Sequence, residues 1–286
     1  MKQIIKNFNN LVKKTIFKVQ NKTNNNFIIS NFNKYFIILF VSFFIYLFYL
    51  LVPILYDKTW IQTKIESKLF NEFNVNLSTS SNIFYRILPA PHFLIKDSKI
   101  LVNDGVKEKS IAEIKNFKVF LNQKNFFDKE KMNIKKLVIN KANFSFLRSD
   151  LKLLSELKNK KLSNKKIQIN DSNIFFKNNL GEIISIIKID KTVALFDDEK
   201  LLNFINLNGE VFNMPFNFNF KYQANKNRYQ KIDFSSKPLR LNISDESSSE
   251  NKLISGESSI SFLNFKFNTK YNIKEKLIIF KSDSGR

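Results

Sequence analysis

FNMPFNFNFKY, residues 212–222, sets large apolar side chains on one side of the chain and mostly amides on the other. Phe212, Met214, Phe216, Phe218, Phe220 and Tyr222 share one parity, and Asn213, Pro215, Asn217, Asn219 and Lys221 share the other. Successive side chains of a strand point to opposite faces, so this period of two reads as a strand with one apolar face. Six large apolar groups on one side have to be covered by protein or by lipid. These six are the candidate lipid-facing residues. The competing expectation is a dry core packed against a helix or a second sheet.

The alternation continues on both sides of this stretch. Leu201 to Val211 reads as a strand with Gly209 near its end, and Ile232 to Ile243 as one or two strands interrupted at Pro238. Asp245 to Asn251 reads as a polar loop, and Ile260 to Tyr271 and Lys276 to Lys281 as closing strands. Upstream, Asn178-Asn179-Leu180-Gly181 is a turn signal that makes a hairpin of residues 166–189. A gapless repeat also appears: FLIKDSKILV at 93–102, LVINKANFSF at 137–146 and IQINDSNIFF at 167–176. Apolar residues hold its first and third positions, a polar pair and a small residue its middle, and apolar residues return at the end. Such a unit is a strand, a bend, and a strand that continues or returns. The spacing of the copies is uneven, which excludes a strict solenoid.

Between the second and third copies, Leu151 to Leu157 reads as a short helical piece and Lys158 to Lys166 as a lysine-rich loop. Val75 to Ser80 and Ile83 to Leu88 read as short strands leading into Leu88-Pro89-Ala90-Pro91-His92. Two prolines there forbid helix and remove two donors, giving an extended crossing, with His92 as a solvent-facing turn residue. Before it, Ile61, Ile65, Leu69 and Phe73 recur every fourth residue among Lys64, Glu66, Lys68 and Glu72. That spacing predicts one short amphipathic helix.

Residues 35–56, at whose heart lies FIILFVSFFIYLFYLLVPILY, carry no charge. At about 1.5 Å per residue they cover roughly 30 Å, the hydrocarbon thickness of a bilayer. A buried core helix is too short an element for this run. A cleavable signal would have a shorter apolar region and small residues after it, and Val52-Pro53-Ile54-Leu55-Tyr56 offers none. The stretch reads as an uncleaved transmembrane helix. Residues 1–34 form a basic leader with seven lysines and no acid, against three lysines among residues 57–76. The positive-inside rule then puts the leader in the cytoplasm and 57–286 across the membrane. Within the leader, residues 2–20 fit either a basic amphipathic helix on the membrane surface or a disordered basic tail.

The net charge of +22 would suit nucleic acid, but the lysines are scattered and an exported domain does not meet it, so no nucleic-acid partner is expected. There is no cysteine, which removes disulfides, thiol chemistry and the usual zinc and iron–sulfur sites. His92 is the only histidine, and the carboxylates are interleaved with lysines as in solvated turns. No catalytic, metal or cofactor residues are expected, and the chain is not read as an enzyme.

The order of these features resembles the N-terminal region of the AsmA family of bacterial envelope proteins. The matching stretches are the anchor, the helix ending at Phe73, Ile87 to Ile95 with its proline pair, the copy at 137–146 and the hairpin at 166–189. There are departures. The leader is long, Asn74 stands where a glycine is often found, and the chain stops at Lys281 to Arg286 where family members continue, as a short member or a fragment would. The expected fold is mainly β: one transmembrane helix, a short amphipathic helix, and an elongated, curved, groove-like antiparallel sheet over 57–286. The resemblance implies a periplasmic, inner-membrane-anchored protein of outer-membrane biogenesis that shields or transfers phospholipid along an apolar β-groove. Its partners would be membrane lipids and other envelope proteins. The alternative is a non-catalytic periplasmic scaffold without a lipid ligand.

Overall fold

The computed structural model describes residues 31–73, 76–80, 82–103, 108–150, 161–223, 228–250, 253–274 and 277–283. The expected helices at 2–20 and 151–157 lie outside them. The chain divides into two compact units, residues 1–49 and 50–286.

Helix α1, Asn31–Leu51, begins within the basic leader, four residues before the span expected at 35–56. It ends in a 3-10 turn, Val52–Leu55, in whose first positions Pro53 sits. Proline removes a helical hydrogen bond and fits best where a turn starts, so it marks the end of the regular helix. Asn33 to Leu55 is long and apolar enough to cross a membrane.

In the second unit, helix α2 spans Lys58–Phe73. Asp57 caps it, accepting from the Trp60 amide at 2.8 Å. Ile61, Ile65 and Leu69 form its buried stripe, as their spacing predicts. Its polar side is tied down at three places. Glu66 accepts from the Thr79 amide and hydroxyl, Lys64 pairs with Glu130, and Glu72 pairs with Lys165.

The remainder is one long, curved, open sheet of fourteen strands. They are β1 (Asn76–Ser78), β2 (Ile83–Arg86), β3 (His92–Asn103), β4 (Glu108–Leu121), β5 (Ile134–Leu147), β6 (Lys166–Lys177) and β7 (Ile183–Asp197). β8 (Leu202–Val211), β9 (Met214–Tyr222), β10 (Arg228–Ser236), β11 (Leu241–Glu250), β12 (Leu253–Phe262), β13 (Phe265–Lys274) and β14 (Leu277–Asp283) follow. The spatial order is the chain order, except that β1 and β2 both pair with β3. All neighbours are antiparallel save β5 and β6, which run parallel.

The repeat lies on β3, β5 and β6, and its fifth position is a bend. Asp97, Lys141 and Asp171 all take positive φ, at 54°, 56° and 47°. The sixth residue, Ser98, Ala142 or Ser172, is then buried. Each bend slips the inward-facing parity by one: Phe93 and Ile95 give way to Ser98 and Ile100, and Leu137 and Ile139 to Ala142 and Phe144. β4 slips in step at Lys115 and β7 at Asp190, so a line of matched bends crosses β3 to β7, and it ends in a bulge where Asp190 has no counterpart on β8. A strand residue in the left-handed region turns the chain locally, and the matched bends of neighbouring strands put a crease in this half of the sheet. Along the parallel pair the copies face each other, Asn170 bonding Asn140 at 2.8 Å and Asn173 bonding Asn143 at 3.1 Å.

Four sequence expectations are corrected. Phe212 and Asn213 are not strand residues: φ of 49° and 61° makes them the two-residue turn of the β8–β9 hairpin, and β9 starts at Met214. Residues 245–250 are the second half of β11 and not a loop, because each of them pairs with both β10 and β12 or with β12 alone. Ile260 to Tyr271 is two strands with a turn at Leu263-Asn264. His92 does not face solvent. It opens β3 at 1 % exposure, stacks on Phe120, and donates from Nδ1 to the Ala90 carbonyl at 2.7 Å.

Burial of His92 holds its pKa below the ordinary imidazole value, and Lys118, Arg86 and Lys136 nearby push the same way. In the unfolded chain the ring takes a proton near pH 6.5, before the folded chain does. Stability carried by the neutral ring is therefore present above that pH and lost as pH falls below it. The denaturation midpoint should drop from pH 7.5 toward pH 5.5, to values roughly set by these pKa positions, and His92→Gln should flatten that slope. An unchanged slope in the variant would place the effect on other groups.

Candidate functional site

Cross-strand partners share a face, so the register shows what lies beside Phe218. Reading across β2 to β13, the direct partners are Ile83, Ile95, Phe117, Ile139, Ile169, Thr192, Leu207, Phe218, Phe234, Ile243, Ile260 and Phe267. Every position except Thr192 is apolar. Two residues along each strand, and so on the same face, a second row runs Phe93, Val119, Leu137, Ile167, Ala194, Ile205, Phe220 and Ile232. The two rows make a continuous apolar band on what is called here the inner face.

Burial along the band is graded. Ile95 is 0 % exposed and Phe117 and Ile139 are buried, on the strands nearest the α2 anchorages. From β6 to β11 the same row is half-buried, apart from buried Thr192. Ile260 and Phe267 reach 39 % and 47 % exposure. Full burial of a large apolar side chain is worth about 1.5–3 kcal/mol, and the open half of the band has realised only part of it. Among the described residues no helix or second sheet covers it. That leaves a surface able to gain contact with an apolar ligand.

The six candidate residues are distributed unequally. Phe216, Phe218 and Phe220 are half-buried in mid-band, with Phe216 stacked on Phe234 at 5.5 Å and Phe218 against Phe220 at 6.3 Å. Met214 is half-buried at the start of β9 opposite Val211. Tyr222 is buried at the other end, beside Asn203, its ring stacked on Phe220 and its phenol pKa raised by burial. Phe212 stands apart in its turn at 72 % exposure. Leu207, Phe234, Ile243, Ile260 and Phe267 complete the row but were not singled out by sequence. Their only signal was alternation within each strand, and alternation carries no register.

The outer face takes the polar half of each alternation. Asn206 bonds Asn219 and Asn208 bonds Asn217, forming an amide ladder. Lys188 pairs with Glu210, Lys231 with Glu246 and Lys270 with Glu257. The abundant lysine of this chain is thereby kept off the apolar band. Among the described residues no three His, Asp or Glu side chains gather as a metal site would need. No known family model matches the chain, and no match was found among curated proteins.

Proposed function

We propose that this protein is a single-pass inner-membrane protein of the bacterial envelope whose sheet shields or transfers phospholipid along the inner face, as its resemblance to the AsmA family implies. The leader is cytoplasmic and the sheet periplasmic in this proposal, following the lysine asymmetry about α1. The observation that carries it is the apolar row running without a charge from β2 to β13 while its cover thins out. An ordinary core would be covered along its whole length. Acyl chains need a long apolar strip and little directional bonding, and this row supplies that.

The test is a photo-crosslinking residue placed at position 218 or 217 in the full chain, expressed in cells and purified in mild detergent. Position 218, on the inner face, should yield phospholipid adducts about tenfold above position 217, in line with burial of one face only. Equal yields at both positions, or none at either, would overturn the proposal and leave a scaffold without a lipid ligand.

A further inference from the structure

The inner face is not uniform beyond β10. The second row, apolar as far as Ile232, turns polar at β11 and continues Asp245, Ser258, Thr269 and Ser282. Beside it the first row stays apolar through Ile243, Ile260 and Phe267. Residues two apart on a strand are separated by about 7 Å, so an apolar lane and a polar lane lie side by side. That is the pattern an amphiphile needs and a dry core does not.

Asp245 is the unusual member. From β6 to β14 the inward-facing strand residues are uncharged apart from Asp245 and Arg228, the latter at the very start of β10. Its outward neighbours Glu246 and Glu257 are paired with Lys231 at 3.0 Å and Lys270 at 2.9 Å. Asp245, among the described residues, has no cationic partner. It is held in place from the side. The Tyr271 hydroxyl donates to both of its oxygens, at 3.0 and 3.1 Å. Tyr271 belongs to β13, two strands away, and its ring crosses β12 over Gly256. A Cβ at residue 256 would lie 2.5 Å from the ring. Glycine inside a strand weakens it, and here it is what lets a phenol reach across to a carboxylate. Ser247, itself buried and on the same face of β11, also hydrogen-bonds the phenol oxygen. Burial raises the Tyr271 pKa, so the phenol keeps its proton and remains a donor.

We propose that Asp245, oriented by Tyr271 and Ser247, is a headgroup station that favours phospholipids carrying a primary ammonium over those with a net negative headgroup. It rests on the lipid reading above and adds selectivity to it. An acyl chain on the Ile243–Ile260–Phe267 lane brings the glycerophosphate over the Asp245–Ser258–Thr269 lane. The serine and threonine hydroxyls there can donate to phosphate oxygens. The carboxylate attracts the ammonium and repels a bare anionic headgroup. The lysines of these strands are paired or point outward, and the one inward cation, Arg228, lies opposite Ser249, four residues along β11 from Asp245.

The experiment exposes the full chain in detergent to an equimolar mixture of phosphatidylethanolamine and phosphatidylglycerol, then measures retained lipids by mass spectrometry. Wild type should retain the ethanolamine lipid in about fivefold excess, the ratio expected of a partly exposed charge pair. Asp245→Asn should bring the ratio near one, and Asp245→Lys should invert it. Glu246→Gln, on the outer face, should leave it alone, and Ser258→Ala should lower total lipid without altering the ratio. Lipid retained without preference, or a preference that survives Asp245→Asn, overturns the station and leaves the apolar lane standing. No lipid retained by wild type overturns the lipid reading and the station with it.

Discussion

Ile95→Asp is expected to leave no cooperatively folded sheet, while Phe218→Asp should leave a sheet that melts only slightly earlier than wild type. Both residues lie on the same cross-strand row, one on β3 and one on β9. Ile95 is 0 % exposed. Removing its side chain costs about 2–5 kcal/mol, and a carboxylate without a partner in that place costs several more. The total reaches the whole of a typical domain's ~5–15 kcal/mol. Phe218 is half-buried, so it has realised only part of a phenylalanine's burial, and an aspartate there can reach water. Its loss should be about 1.5 kcal/mol. Thermal melts of the full chain in one detergent, followed by far-ultraviolet circular dichroism, measure this directly. Fluorescence of Trp60 on α2 gives a second probe. If Phe218→Asp also abolishes the transition, the inner face at β9 is closed core and the lipid proposal falls with it.

The contrast between these two residues marks what sequence could and could not supply. Alternation at 212–222 was legible because phenylalanine and asparagine are extreme opposites, and it identified the strand and its apolar side. It could not say that Phe212 was the turn, since a two-residue turn keeps the parity of the strand it leads into. Residues 245–250, DESSSE, carry turn-prone side chains, and their strand conformation is imposed by β12 along their length and by β10 along most of it. The strand at 108–121 escaped notice for another reason. Its inward residues, Ala112, Ile114, Phe117 and Val119, change parity at Lys115, and a slip of parity hides a strand from any test of strict alternation. The repeat announced the same slip three times over, but only positive φ at Asp97, Lys141 and Asp171 shows it to be a bend inside one strand. The apolar row itself is a property of register. A single strand holds one or two of its members, and partner choice is set by turns and bulges scattered along the chain.

Gly209→Ala is expected to cost about 3 kcal/mol, at the upper end of what one added methyl group does in a packed interior. Gly209 faces the bulge in which the line of bends ends. β7 carries an extra residue at Asp190 between Ile189 and Lys191, while β8 opposite it is regular. The backbone of β7 is thereby pressed onto β8, and a Cβ at residue 209 would lie 2.3 Å from the Lys188 carbonyl oxygen. A backbone oxygen cannot swing aside as the end of a long side chain can. Relief requires the two strands to part, which loosens the ladder that joins the creased half of the sheet to the half bearing Phe218. Gly181→Ala is the matched comparison. Its φ of +87° strains any substituted residue, but nothing lies within 4 Å of the added carbon. That strain alone costs about 1 kcal/mol. In urea melts of the full chain, Gly209→Ala should therefore lose far more midpoint stability than Gly181→Ala. Lipid crosslinking at position 218 should fall in the first variant and persist in the second, because the apolar row crosses from Thr192 to Leu207 beside the strained contact. Equal midpoints for the two variants would mean that β7 and β8 are not pressed together at the bulge, and that the crease does not end there.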